Sequence, residues 1–407
     1  MKIDSTLTKK LPSEVVYCKK CVISNQRPSS VVEFKSNIGD AKPLIAFNKD
    51  GVCSACEFHS EKEINIDWEN REKNLRILLD RFRKKDGGYD IVIPGSGGKD
   101  SAFTAHILKY KYGMNPLTVT WAPHLYTDIG WKNFDNWIKV GGFDNLLFTP
   151  NARVHSVLSS IAFKNLLHPF QPFIIGQKII GPLFAKKFNV KLIMYGENQA
   201  EYGNLIDENK TPKMDSQFFS VLSKEEMLFG GIPMKEIMKE YNFSLGDFEP
   251  YIPPSAKDLD NSGIEMHYLG YYLKWDPQEM FYYASENTGF SANTERTQGS
   301  YSKYIGIDDK MDTFHWFTTL IKFGIGRATY DAAQEIRNDK ITREEGIALI
   351  KKYDTEFPHL FFEDFLKYLQ IDEDIFWKTI DTFRPSHLWK KENNEWKLKN
   401  PIWLQTK

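Results

Sequence analysis

The residues best placed to do chemistry lie in one turn, PGSGGKDSA at 94–102. Gly95, Gly97 and Gly98 permit positive φ angles and let the backbone come close to a ligand. A helix starting just after them aims its first N–H groups, and the positive end of its dipole, at an anion. Ser96 and Ser101 add hydroxyl donors, and Lys99 adds a charge. The guest that suits this set is a phosphate or pyrophosphate. Asp100 would be repelled by bare phosphate, so its role is to orient the loop or to hold Mg²⁺ between phosphate oxygens.

A second group is made of sulfur. Cys18-x2-Cys21 and Cys53-x2-Cys56 can each place two thiolates on a tight turn, and together they suit a tetrahedral structural Zn²⁺. The link across 22–52 is longer than the common spacing. Disulfides are disfavoured, because nothing at the N-terminus reads as an export signal and a reducing compartment keeps thiols free. The chain has 4 cysteines, all of them in these pairs. The main body therefore offers no persulfide carrier, no cysteine nucleophile and no glutaminase of the cysteine type.

Those residues need a scaffold. Apolar runs at 89–93, 116–122, 145–150 and 190–198 read as strands, with amphipathic helices between them, as at 101–112. A further helical period covers 64–85, ahead of the first strand. Strand–helix alternation implies a parallel α/β sheet, and ligands of such sheets sit outside the carboxyl ends of the strands. The glycine turn and the YGEN stretch after Met194 are thereby expected to share one site. The expected organisation is a zinc-binding segment at 1–63, an α/β domain carrying the glycine turn at 64–202, an insertion or substrate region at 203–300 and a helical C-terminal region at 301–407 that completes the active site.

Composition narrows the partners. The 407 residues are 41% apolar and 26% charged, as in a globular protein, and no apolar run is long enough to span a membrane. A cytoplasmic location is expected. With 53 basic and 54 acidic residues the net charge is −1, a poor balance for gripping nucleic acid.

The S-G-G-x-D-S pattern directly after a strand resembles the PP-loop of the ATP pyrophosphatases, which bind ATP by its pyrophosphate and adenylate an oxygen of the substrate. Two classes within that superfamily compete. A tRNA thiolase needs cysteines in its catalytic domain, and this chain has none there; an amidotransferase, using ammonia, needs none. Beyond the turn, CKKCVISNQRP, GVCSAC, IVIPGSGGKDS, QPFIIGQ, YGENQAEYG, TQGSYSKY and IKFGIGRATYDAAQEIRNDKITREEG resemble the N-acetyl sugar amidotransferases of bacterial surface-polysaccharide and flagellin-sugar pathways. The reaction implied turns an acetamido group into an acetamidino group, with ATP and ammonia consumed.

On this resemblance, Ser96, Gly97, Gly98, Lys99 and Ser101 would hold pyrophosphate, with Asp100 at Mg²⁺. Trp121 would receive adenine or serve as core. Asn198 would join the nucleotide site, and Glu197 would orient ammonia or a sugar hydroxyl. Lys322 and Arg327 would neutralise the leaving AMP or pyrophosphate, or else form structural salt bridges. His168 and Gln171 carry no assigned role. The implied partners are an acetamido sugar, free or nucleotide-linked, and a separate glutaminase with an ammonia-channelling, cyclase-like subunit.

Overall fold

The computed structural model describes residues 11–204 and 211–405. The expected zinc segment and insertion thus include residues 1–10 and 205–210, which lie outside the described residues. In chain order, α1 (Ser54–Ile64) and α2 (Trp68–Phe82) precede β1 (Ile91–Pro94) and α3 (Lys99–His106). There follow β2 (Pro116–Trp121), α4 (Asp128–Lys139), β3 (Asp144–Phe148), α5 (Ala152–Leu166), α6 (Gln171–Lys187) and β4 (Leu192–Tyr195). A fifth strand, β5 (Glu265–Tyr268), precedes α7 (Pro277–Thr288), α8 (Asp312–Phe323), α9 (Arg327–Arg337) and α10 (Arg343–Tyr353).

These five strands form one parallel sheet in the order β3-β2-β1-β4-β5. Ile91, Val92 and Ile93 are all fully buried. The run is continuously apolar because both of its faces are covered. Val92 packs in the cluster with Trp121 and Ile180, while Ile91 and Ile93 pack with Ala102, Leu108 and Trp137. Helix α6 lies against β1, β2 and β4 on one face, and α3 lies against β1 and β4 on the other.

The four expected strands and the helix after the glycine turn are present, with trimmed ends. Helix α3 begins at Lys99 and passes at Ile107–Lys111 into a π-helical turn. The fifth strand is the larger difference. It falls inside 203–300, so that stretch supplies part of the central sheet and is not only an insertion. Its residues, Glu265, Met266, His267 and Tyr268, are too mixed in polarity to announce a strand.

The N-terminal segment folds back on the C-terminal helices. Arg343 on α10 donates from Nε to Cys21 O at 3.1 Å, and the cysteines share a cluster with Ile325, Ala332, Ala333 and Ile350. Among the described residues, no helix is long and apolar enough to cross a membrane.

Candidate active site

Of the three glycines in the turn, only Gly97 uses a positive φ, and Gly98 is extended at φ −66°. Gly97 has φ +84°, and a Cβ there would meet Phe134 Cα at 2.8 Å, so only glycine fits. A Cβ on Gly95 would lie 2.2 Å from Ser101 Cβ. Gly98 caps α3, and the nearest atom to a Cβ there is 3.8 Å away, so this residue faces open space. Ser101 Oγ accepts from Gly97 N at 3.2 Å and donates to Gly98 O at 3.0 Å, which closes the turn over the helix start. The first N–H groups of α3 have no carbonyl partner within the helix.

Over this turn lies a cavity of about 280 Å³ at the carboxyl ends of the strands. Gly95, Ser96, Gly98, Asp100 and Ser101 form its floor. Val119 and Trp121 close one end, and Tyr195, Glu197 and Gln199 close the other. Helix α6 supplies the roof with Gln177, Lys178 and Ile180. Trp121 is both wall and core. Its ring lies 5.0 Å from Phe148 and 5.2 Å from Tyr251, and α6 can approach it only because residue 176 is glycine.

Charge inside the cavity is paired but not quenched. Lys99 Nζ lies 2.7 Å from both carboxylate oxygens of Asp100, so the lysine neutralises its neighbour when no other anion is bound. Burial, then the nearby Asp100, pushes Glu197 above the usual carboxyl range, against the pull of Lys99 and Lys178. Burial lowers Lys178, and Glu197 and Glu33 partly restore it. One cation, Lys178, and two carboxylates, Asp100 and Glu197, thus line the cavity, with Lys99 acting on it through its pair with Asp100, a balance that suits a divalent cation carried with a polyanion.

Gly97 and Lys99 belong to the turn without lining its cavity, and three further expected residues lie elsewhere. Asn198 is 1% exposed and caps the short turn Gln199–Tyr202, its Oδ1 accepting from Ala200 N at 3.0 Å; Gln199 reaches the cavity in its place. Lys322 is buried and donates to Leu166 O at 3.0 Å, on a different cavity. Arg327 does not line the glycine-turn cavity: its Nε lies 3.0 Å from Asp331 Oδ1 and its guanidinium sits 4.4 Å over the Trp316 ring. A buried guanidinium needs such partners, and these already hold it.

The residues that sequence reasoning missed are Gln177, Lys178, Gln199 and Asp308. Burial, then the neighbouring Asp309, raises the Asp308 carboxyl, and the Ser96 side chain pulls it back down. QPFIIGQ, with Lys178 directly after it, was a visible signal for the first two. Asp308 sits in an aperiodic turn and gave no signal.

The four cysteine sulfurs all lie within 4.8 Å of one another, with Cys18–Cys56 at 3.9 Å and Cys21–Cys53 at 3.7 Å. A zinc tetrahedron with Zn–S bonds of about 2.3 Å has edges of about 3.8 Å. Backbone N–H groups of Lys20, Cys21 and Cys53 point at Cys18 Sγ at 3.3–3.5 Å, as they do at thiolates. Cys18, Cys21, Cys53 and Cys56 therefore fit a structural zinc. They sit apart from the glycine-turn cavity.

Comparison with known proteins adds the following. Residues 298–402 match the family described as LPS biosynthesis protein WbpG-like, C-terminal domain. An uncharacterized protein of Methanocaldococcus jannaschii is 31% identical over 78 residues, 19% of this chain. The match spans only 27% of that relative's length. Among solved structures, NMN synthetase from Francisella tularensis is similar at 14% identity and TM-score 0.27, covering 56% of this chain and 90% of that one. NH3-dependent NAD synthetase from Campylobacter jejuni is similar at 12% identity and TM-score 0.27, covering 55% and 94%. Overlaps this loose carry no argument about chemistry. Over residues 298–402, about a quarter of its length, the chain is thus similar to the C-terminal domain of the WbpG-like LPS biosynthesis proteins.

Proposed function

We propose that this chain is an ATP-using PP-loop enzyme of LPS biosynthesis, and that it is an amidotransferase converting a sugar acetamido group to an acetamidino group. The observation that carries the reading is the glycine-turn cavity, with the N-terminus of α3 below, Asp100 and Glu197 beside it and Lys178 above.

The turn and Ser101 bind the β,γ-pyrophosphate of ATP, and adenine lies towards Trp121 and Ile180. Asp100 would hold Mg²⁺, which supplies charge neutralisation on the phosphates. Lys99 and Lys178 stabilise the charge that gathers on the departing pyrophosphate. The acetamido oxygen attacks the α-phosphorus, and the α–β bond breaks to release pyrophosphate. Ammonia then adds to the adenylated carbon, Glu197 takes its proton, and AMP leaves with the oxygen. Water is the competing nucleophile, so the site must exclude it.

All 4 cysteines belong to the thiolate cluster, which leaves none to attack glutamine. The ammonia source is therefore a separate glutaminase, delivered through a channelling subunit. The purified chain is expected to use ammonium and to ignore glutamine. The absence of any cysteine after Cys56, with a net charge of −1, weighs against a tRNA thiolase.

The test incubates acetamido sugars with ATP, Mg²⁺ and ammonium, and reads sugar mass and nucleotide products together. Replacement of O by NH in the sugar, with AMP and pyrophosphate formed, supports the reading. ADP as the main product overturns it. Asp100→Ala should abolish turnover while circular dichroism stays unchanged.

A further inference from the structure

His168 and Lys322, which the glycine-turn cavity leaves unused, meet at a second cavity of about 390 Å³. Its walls come from the short turn Glu33–Lys35, from Lys42 and from the ends of α5 and α8. The volume is that of a small-molecule site, mostly apolar with a few placed polar groups. Val31, Val32 and Phe323 supply the apolar surface.

The polar groups are not fully matched. Lys322 is 7% exposed, and its Nζ donates to Leu166 O at 3.0 Å. An ammonium carries three N–H groups, so a buried lysine held this way favours a further acceptor. Glu33 Oε2 stands 3.3 Å from His168 Nε2, yet it is buried without an aligned hydrogen bond. Burial pushes Glu33 up, but His168, Lys42 and Lys322 outweigh it and hold the carboxyl at about 2. A carboxylate accepts hydroxyls. Burial and then Lys42 push the Lys322 amine well below the usual lysine range, and a bound anion would restore its charge. An apolar wall takes the C–H face of a ring.

The two cavities are neighbours along one helix. Gln171, at the start of α6, donates from Nε2 to Glu33 O at 2.8 Å. Lys178 on the same helix lines the glycine-turn cavity, and it feels the charge of both Glu197 and Glu33. The two residues are about two turns apart, which is about 10 Å of helix.

We propose that this second cavity is the acceptor site and takes an acetamido sugar bearing a phosphate or carboxylate. Lys322 and Lys42 hold the anion, Glu33 and His168 take ring hydroxyls, and the acetamido group turns along α6 towards the glycine turn. The proposal rests on the amidotransferase reading.

Equilibrium binding to the full chain tests it with three probes: UDP-N-acetylglucosamine for phosphate, N-acetylneuraminic acid for carboxylate, and neutral N-acetylglucosamine. One anionic probe should bind at least about tenfold more tightly than the neutral one, the size of one charged hydrogen bond. Which of the two binds names the anion. Lys322→Met should erase that preference, and Glu33→Ala should weaken charged and neutral sugars alike. ATP affinity of the same preparations reports folding. Lys42 is only partly buried, so Lys42→Met decides where Lys322→Met does not fold, and it must show the same anion-specific loss. Three results overturn the site: no anionic probe binds or is preferred, folded lysine variants bind like the wild type, or ATP competes with the sugar. ADP formation in the turnover assay, with anion-selective sugar binding intact, would instead sink the reaction and leave the site standing.

Discussion

Gly97 decides whether the turn can form. Its positive φ, and the 2.8 Å approach that a Cβ would make to Phe134 Cα, mean that Gly97→Ala must distort either the turn or α4. The expected loss is about 1–3 kcal/mol, read by denaturant melts, with ATP affinity falling as well. Gly98→Ala is the contrast. It finds open space on the fold side, so stability should hold while the new methyl intrudes only on the ligand. Equal destabilisation by the two variants would refute this assignment of roles. At the same scale, Glu197→Gln keeps the shape of the cavity wall but cannot take a proton. Turnover should fall by about 100-fold or more with ATP affinity little changed, measured as kcat against ATP binding.

One element boundary is held from a distance. The N-cap of helix α9 is Gly326, which has no side chain for the task, and the cap comes from Asp354 at the end of α10. Its carboxylate accepts from Gly326 N at 2.9 Å, and from Thr329 N and Oγ1 at 2.8 Å each. Asp354→Ala leaves those donors unpaired and should cost about 1–3 kcal/mol. Burial, outweighing those three donors, raises Asp354 from an ordinary 3.8 to about 6. The folded state therefore binds more protons than the unfolded state between those values, and this residue's contribution to stability falls as pH rises through that window. Asp354→Asn should remove that slope. Melting curves from pH 4 to 7 with an unchanged slope would disprove the link.

At the scale of the whole molecule, the cysteine cluster is tied to the glycine-turn cavity. Helix α1 leaves the cluster and carries Lys62, which is fully buried. Lys62 Nζ lies 3.1 Å from Glu201 Oε1 and donates to Trp275 O at 2.8 Å. Glu201 belongs to the turn that presents Gln199 to the cavity, and Ser54 Oγ donates to Gly203 O at 3.2 Å just beyond it. Breaking a buried ion pair leaves a charge unpaired, so Lys62→Met should cost about 3–5 kcal/mol. Elemental analysis should find about one zinc per chain. Chelation should then lower Tm and ATP turnover together. Full metal retention in the Cys18→Ser/Cys53→Ser variant would contradict the metal site, and turnover untouched by chelation would contradict the coupling.

The sequence by itself determined what local spacing and period can encode. Three glycines between a strand and a helix define a tight turn, since φ freedom and close backbone approach are properties of a few consecutive residues. Two Cys-x2-Cys pairs define a thiolate quartet, and continuous apolar runs between amphipathic helices define parallel strands. Only the tertiary structure decided which distant side chains converge. Lys178 and Lys322 both lie on helices, yet packing aims the first at the glycine turn and the second at another cavity. Asn198, next to Glu197 in the chain, is turned inwards as a cap. The fifth strand and Asp308 were equally hidden, because each takes its place from residues far away in the chain. Helix crossing and loop path place such groups, and these depend on how whole surfaces pack.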